Sequence, residues 1–270
     1  MNGMDGIDLG LRGKIALVLG VANKRSIAWA IAQLLAEAGA KLVITYQDGR
    51  VKPYVEELAE TLPDPDKEPL LLPCDVRRVR EIEGLFSRIE GEPGAGGLDL
   101  LVHSIAYAPA GELKGEFLST SKEGFQETLE VSAYSLIPLA RRAAPLMESR
   151  GGGAIIALTF QASERVFPGY NVMGTAKAAL EQIIRQLAYE LGPRNIRVNG
   201  LSPGPLRTLA ARGVPGFTTM LELHRDRAPL RRNITHEEVA QAALFLLSDL
   251  ASGITGEILH VDGGYHIMGI

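Results

Sequence analysis

Short apolar runs and helical patterns alternate along the chain. Lys14–Leu19 (KIALVL), Lys41–Tyr46 (KLVITY), Pro69–Leu72, Leu98–His103 (LDLLVH), Ala154–Thr159 (AIIALT), Ile196–Leu201 (IRVNGL) and Ile258–Val261 read as seven strands. Most are apolar without polar alternation, which is the pattern of strands covered on both faces. Between them lie segments with helical spacing. Ser26–Ala38 (SIAWAIAQLLAEA) has Ser26 at the N-cap position and Gly39 just past its end. Val51–Thr61 is helical with Pro53 in its first turn. Further helices are predicted over Arg77–Glu90, about Lys122 to Glu148, near Tyr170 to Leu191, near Phe217–Asp226 and about His236 to Asp249.

Strands that alternate with helices pair in parallel, and right-handed crossovers then place helices on both faces. The expected fold is α/β: a Rossmann-type doubly wound parallel sheet of seven strands in a single domain spanning residues 1–270. Such sheets bind ligands at the carboxyl ends of their strands, so the chemistry is sought there.

Composition narrows the picture further. The 270 residues are 46% hydrophobic and 22% charged, within the range of a globular chain and outside that of a disordered one. A net charge of −4 argues against a general nucleic-acid binder, which needs a basic footprint. The one cysteine, Cys74, forbids an internal disulfide and reads as a buried apolar residue. His103, His224, His236, His260 and His266 show no HxxxH or HExxH spacing, so no metal is expected. The opening MNGMDGIDLG lacks a basic, apolar leader, and no apolar stretch reaches the ~18–20 residues of a membrane helix. A cytoplasmic location is expected.

The first strand runs into Gly20-Val21-Ala22-Asn23-Lys24-Arg25-Ser26-Ile27. Glycine permits a tight turn, and a helix N-terminus beyond it favours a pyrophosphate. The segment lacks the GxGxxG fingerprint, so a plain strand–helix turn reads almost as well. About 20 residues on, the second strand ends in Tyr46-Gln47-Asp48, the usual neighbourhood of the adenosine ribose. Gln47 can bond a hydroxyl and Asp48 would repel a 2′-phosphate, which favours NADH. Arg50 and Lys52 keep NADPH open. Asp75 and Val76 could bracket adenine; alternatively Asp75 caps the helix that follows.

Tyr170-Asn171-Val172-Met173-Gly174-Thr175-Ala176-Lys177 opens the helix after the fifth strand. Seven residues are nearly two helical turns, so Tyr170 and Lys177 share a face about 10 Å apart along the axis. A lysine there can hold a ribose hydroxyl, and a phenol can bond an oxygen that becomes anionic. A packed tyrosine and a surface lysine are the plain alternative.

Seven segments in order resemble the short-chain dehydrogenase/reductases, and within them the enoyl-acyl carrier protein reductases of bacterial fatty-acid synthesis. They are GVANKRSIA (20–28), TYQ (45–47), CDV (74–76), HSIAYAP (103–109), YNVMGTAK (170–177), RVNGLSPGPLRTLAA (197–211) and HVDGGY (260–265). Ordinary carbonyl-reducing members have a serine 13 residues before the tyrosine and a lysine four after it; here those places are Ala157 and Gly174. The spacing Tyr-x6-Lys is similar to that of the enoyl reductases. In one departure, Phe160 stands where typical bacterial members have a second tyrosine, which resembles the mycobacterial long-chain branch. Phe160 reads either as a wall of the acyl channel or as a core residue.

The resemblance implies NADH-dependent reduction of the trans-2 double bond of an enoyl thioester on acyl carrier protein, with Tyr170 and Lys177 as catalytic residues. It implies cofactor contacts at Gly20, Ser26, Ile27, Gln47, Asp75, Val76, Ile105 and Lys177, and at Leu206, Arg207, Thr208, Leu209 and Ala210. Ala108, Phe160 and Tyr170 would meet the substrate, and a loop at about 203–232 would order over it. A homotetramer is also implied, with the C-terminal GYHIMGI near an interface. Arg225, Arg227, Arg231 and Arg232 could dock an acidic carrier protein or form ion pairs within the protein. Other readings of the same fold are a dienoyl or ketoacyl thioester reductase and a dinucleotide-binding sensor without turnover.

Overall fold

Residues 8–63, 68–92 and 96–269 are described by a computed structural model, in which the elements follow the expected alternation. In chain order they are β1 (Ile15–Leu19), α1 (Ile27–Glu37), β2 (Lys41–Tyr46), α2 (Lys52–Ala59), β3 (Leu70–Pro73), α3 (Val79–Gly91) and β4 (Leu100–His103). There follow α4 (Lys122–Leu129), α5 (Leu136–Glu148), β5 (Gly153–Leu158), α6 (Asn171–Leu191), β6 (Ile196–Pro203), α7 (Phe217–Arg227), α8 (His236–Leu247) and β7 (Ile258–Val261). Among the described residues, seven strands form one parallel sheet in the order β3-β2-β1-β4-β5-β6-β7.

Successive side chains of a strand point to opposite faces, and β1 shows the consequence. Ile15, Leu17 and Leu19 enter one apolar cluster with α3, α5 and α6. Ala16 and Val18 enter a second with α1 and α8. Both faces are therefore dry, which is why the strands carry no polar alternation. At the middle of the sheet β1 pairs with β2 on one side and β4 on the other, so the chain leaves β1 and β4 in opposite directions. That switch opens a crevice at the carboxyl ends.

Two local expectations change. Ser26 stands at the N-cap of α1, but its side chain makes no capping bond. Its hydroxyl instead accepts the amides of Ala22 and Asn23, each at 3.1 Å, and so shapes the loop before the helix. The stretch predicted as one helix from Lys122 to Glu148 is broken by a π-turn, Glu130–Tyr134, marked by the Ser135 amide reaching the Glu130 carbonyl at 3.0 Å. A π-turn adds one residue to a single turn, and the segments on either side of it each keep helical spacing, so the run reads as one helix.

Candidate active site

A cavity of about 520 Å³ lies across the strand ends, within the usual range for small-molecule sites. Residues at the ends of six strands line it: Gly20 after β1, Gln47 after β2, Asp75 and Val76 after β3, Ile105 after β4, Phe160 after β5 and Leu206 after β6. Gly20 has φ +99°, and a Cβ there would stand 2.0 Å from the Ser104 carbonyl oxygen. Only glycine permits so close a passage of the β1 turn past the end of β4.

The turn leads into α1, whose first turn has neither a side-chain cap nor an acidic residue. Its leading amides are thus left for a ligand, and the helix end favours a negative one. Ser26 and Ile27 border the cavity at this point. At the far end Gln47 lines the wall; Asp48 is not among the lining residues, and its carboxylate is bound by Arg50 at 2.6 Å. The charge argument from Asp48 against a 2′-phosphate therefore weakens. Asp75 does not cap α3 either, since that helix starts at Val79 with Arg78 at its N-cap. The Asp75 carboxylate holds the preceding turn by accepting the Arg77 amide at 3.1 Å. It also takes the Arg77 guanidinium at 2.7 Å, which keeps its pKa below the usual carboxylate range. Cys74 is buried, and that burial pushes its thiol up to about 12.

Tyr170 and Lys177 both line the cavity, as their spacing predicts. Tyr170 precedes the first turn of α6, and the next residue, Asn171, holds a left-handed backbone of φ +38°. Phe160 is buried and also borders the cavity. Its ring lies 4.9 Å from that of Tyr170 and 4.8 Å from that of Phe167. Burial raises the Tyr170 pKa, so the phenol stays a proton-bearing donor at neutral pH.

Lys177 is buried and its ammonium donates to the Leu158 carbonyl at 2.7 Å. Burial lowers its pKa to about 8, while the nearby Glu181 carboxylate pulls the other way. Glu181 is itself buried and accepts the Thr159 hydroxyl at 2.7 Å. Ala157 lies in β5 with no hydroxyl to offer. At Gly174 a Cβ would stand 2.9 Å from the Ala162 carbonyl. A side chain there, let alone a lysine, would require the backbone to move.

On the remaining wall, Ala108, Leu206, Thr208 and Leu209 line the cavity. Arg207 does not: it is exposed and lines a separate depression with Thr218, at the tip of a tight turn in which the Thr208 amide donates to the Leu206 carbonyl at 2.8 Å. The side chain of Ala210 lies outside what is described. Sequence reasoning missed Ser104, Thr159, Met173, Phe217 and Arg77, all of which line the cavity. Arg77 directly follows the CDV segment, and Ser104 and Met173 lie within HSIAYAP and YNVMGTAK, so these were within reach; Thr159 and Phe217 are brought in by packing. Three of the four loop arginines are engaged within the chain: Arg225 by Asp226 at 2.8 Å, Arg232 by Glu238 at 2.5 Å, and Arg231 by the Asp226 carbonyl. Among the described residues no group of His, Cys, Asp or Glu is placed to hold a metal.

A parallel sheet with its switch-point crevice, an uncapped helix end beyond a glycine turn, and a tyrosine and a buried lysine on one cavity wall define a short-chain dehydrogenase/reductase. These features fit a dinucleotide. The chain belongs to the family described as "Enoyl-(Acyl carrier protein) reductase", whose model matches residues 20–266. It is 50% identical over 259 residues to the NADH enoyl-acyl-carrier-protein reductase FabI of Bacillus cereus, covering 96% of this chain and 99% of that protein. It is 48% identical over 261 residues to the Bacillus subtilis enzyme of the same name, covering 97% and 99%. A crystal structure of the Bacillus cereus enoyl-acyl carrier protein reductase with NADP+ and indole naphthyridinone superposes with a TM-score of 0.93 at 49% identity, covering 98% of this chain and all of that one. The Anaplasma phagocytophilum reductase in complex with NAD gives 0.90 at 41% identity, covering 98% of each.

Proposed function

We propose that this protein is an NADH-dependent enoyl-acyl carrier protein reductase, reducing the trans-2 double bond of enoyl thioesters in fatty acid biosynthesis. The observation that carries this reading is the meeting of Tyr170 and Lys177 on one cavity, with Ala157 and Gly174 where a ketone reductase needs its serine and lysine. NADH supplies the hydride that reaches the β-carbon of the substrate.

The chain's own groups do the rest. The Gly20 turn and the first amides of α1, beside Ser26 and Ile27, receive the pyrophosphate. Gln47 meets the adenosine ribose, and Asp75 and Val76 flank the adenine. Ile105, Leu206, Thr208 and Leu209 enclose the nicotinamide. Lys177 holds the nicotinamide ribose and adds positive potential. The Tyr170 hydroxyl donates to the thioester oxygen as negative charge gathers there, an interaction worth about 2.7–4 kcal/mol of barrier. Phe160 packs on the tyrosine ring and, with Ala108, walls the acyl channel. The segment 203–232 closes over the bound pair.

The thioester is carried by acyl carrier protein. A cytoplasmic location accords with the described residues, among which no helix is long and apolar enough to cross a membrane. A homotetramer accords with apolar side chains left exposed near the C-terminus, Ile267 at 69% and Met268 at 38%; Ile270 lies outside the described residues. Tyr170→Phe and Lys177→Ala are each expected to lower turnover of crotonyl thioester with NADH by about 100-fold or more. Full activity in both variants would overturn the assignment.

A further inference from the structure

At the adenosine end of the cavity, Val51, Val76 and Cys74 supply apolar wall, while Thr45, Gln47, Asp75 and Arg77 supply polar surface. The Arg77 guanidinium is fixed at every nitrogen. Nε donates to Asp75 Oδ1 at 3.0 Å, Nη2 donates to Asp75 Oδ2 at 2.7 Å, and Nη1 reaches Glu127 Oε1, from α4, at 3.3 Å. Its side chain nonetheless keeps 39% of its surface open.

A guanidinium is planar, with its N–H groups in the plane. With each nitrogen turned to a carboxylate, three of the five N–H donors are taken and the plane is fixed, so the flat face is the larger surface left to a ligand. The two carboxylates also offset its charge, so it is poorly suited to a further phosphate. A flat, polarisable, pre-oriented plate beside an apolar wall fits the face of an aromatic ring. The rigid fork means that little side-chain freedom is lost when the ring arrives.

We propose that Arg77 is a cofactor-contacting residue whose guanidinium face stacks on the adenine of the dinucleotide, with Asp75 and Glu127 holding the plate in position. The proposal rests on the reading of this cavity as an NADH site. It assigns Arg77 to the purine ring and not to the 2′ position of the ribose.

The test is cofactor binding by fluorescence titration, with Arg77→Ala and Arg77→Lys beside the parent protein. In both variants the Kd for NADH is expected to rise by about three- to thirty-fold, and that for NADPH by the same factor. Lysine keeps the charge but lacks the plane, so it does not restore binding. Reduced nicotinamide mononucleotide, which has no adenosine, provides a second readout. The preference for NADH over this mononucleotide, as a ratio of kcat/KM values with crotonyl thioester, should fall by the same factor in Arg77→Ala. Four results would overturn the proposal: an unchanged Kd for NADH, full recovery with lysine, a loss confined to NADPH, or an equal loss with the mononucleotide. Should the parent protein fail to oxidise NADH against crotonyl thioester, the cavity reading falls. Should it succeed while Arg77→Ala binds NADH normally, only the role of Arg77 falls.

Discussion

Lys177 gathers most of the electrostatics at the residue scale. Burial holds its pKa at about 8, and Glu181 is the charge that stops it falling further. A lysine is cationic below its pKa, so the positive potential at the site is full at neutral pH and fades as pH rises through about 8. The kcat/KM profile is therefore expected to show a basic limb near pH 8. Glu181→Gln should move that limb to lower pH, since the carboxylate favours the ammonium form; an unmoved limb would show that Glu181 does not act on the lysine. His103 behaves differently. It is buried with Nε2 2.8 Å from the Ser135 hydroxyl, and burial lowers its pKa to about 3, so it stays neutral throughout the working range. Little of this was readable beforehand. The seven-residue spacing places Tyr170 and Lys177 on one face, because helix geometry is local. That Thr159 would reach Glu181, and Glu127 reach Arg77 from 50 positions away, depends on contacts no window of sequence contains.

The π-turn between α4 and α5 carries the consequence at the element scale. It presents Ser132, fully buried, to the loop after β4. The Ser132 hydroxyl accepts the Tyr107 amide and donates to the Tyr107 carbonyl, both at 2.9 Å. One side chain thus satisfies both backbone groups of a residue that lines the cavity beside Ala108. Ser132→Ala removes both bonds, each worth about 0.5–1.5 kcal/mol. The expected outcome is a raised KM for the enoyl thioester with an unchanged Kd for NADH, since the loop faces the acyl side. Equal loss of both affinities would show a general structural role. Most elements were legible within one to three residues, and β7 was placed residue for residue, because dry strands and capped helices have local signatures. The π-turn was not, since it falls between two stretches that each keep helical spacing.

The whole molecule is organised by the switch between β1 and β4. There the Gly20 turn passes the Ser104 carbonyl with no room for a side chain. Gly20→Ala would demand both a left-handed alanine and a shift of the β4 end, a strain of about 1–3 kcal/mol or more. A lower Tm together with loss of NADH binding is expected; native Tm with native binding would show that the turn relaxes freely.

Parallel class, the number of strands, and the tyrosine–lysine face were determined by the sequence alone, because each follows from preferences and periodicities acting over a few residues. The strand order, the clasp of Ser132 on Tyr107, the fork of Arg77 between Asp75 and Glu127, and the choice of Leu206 over Arg207 as cavity wall were decided only in three dimensions. Each of these joins segments distant in the chain, or selects one face of a loop, and such choices are settled by which surfaces can be buried together once the whole sheet has closed.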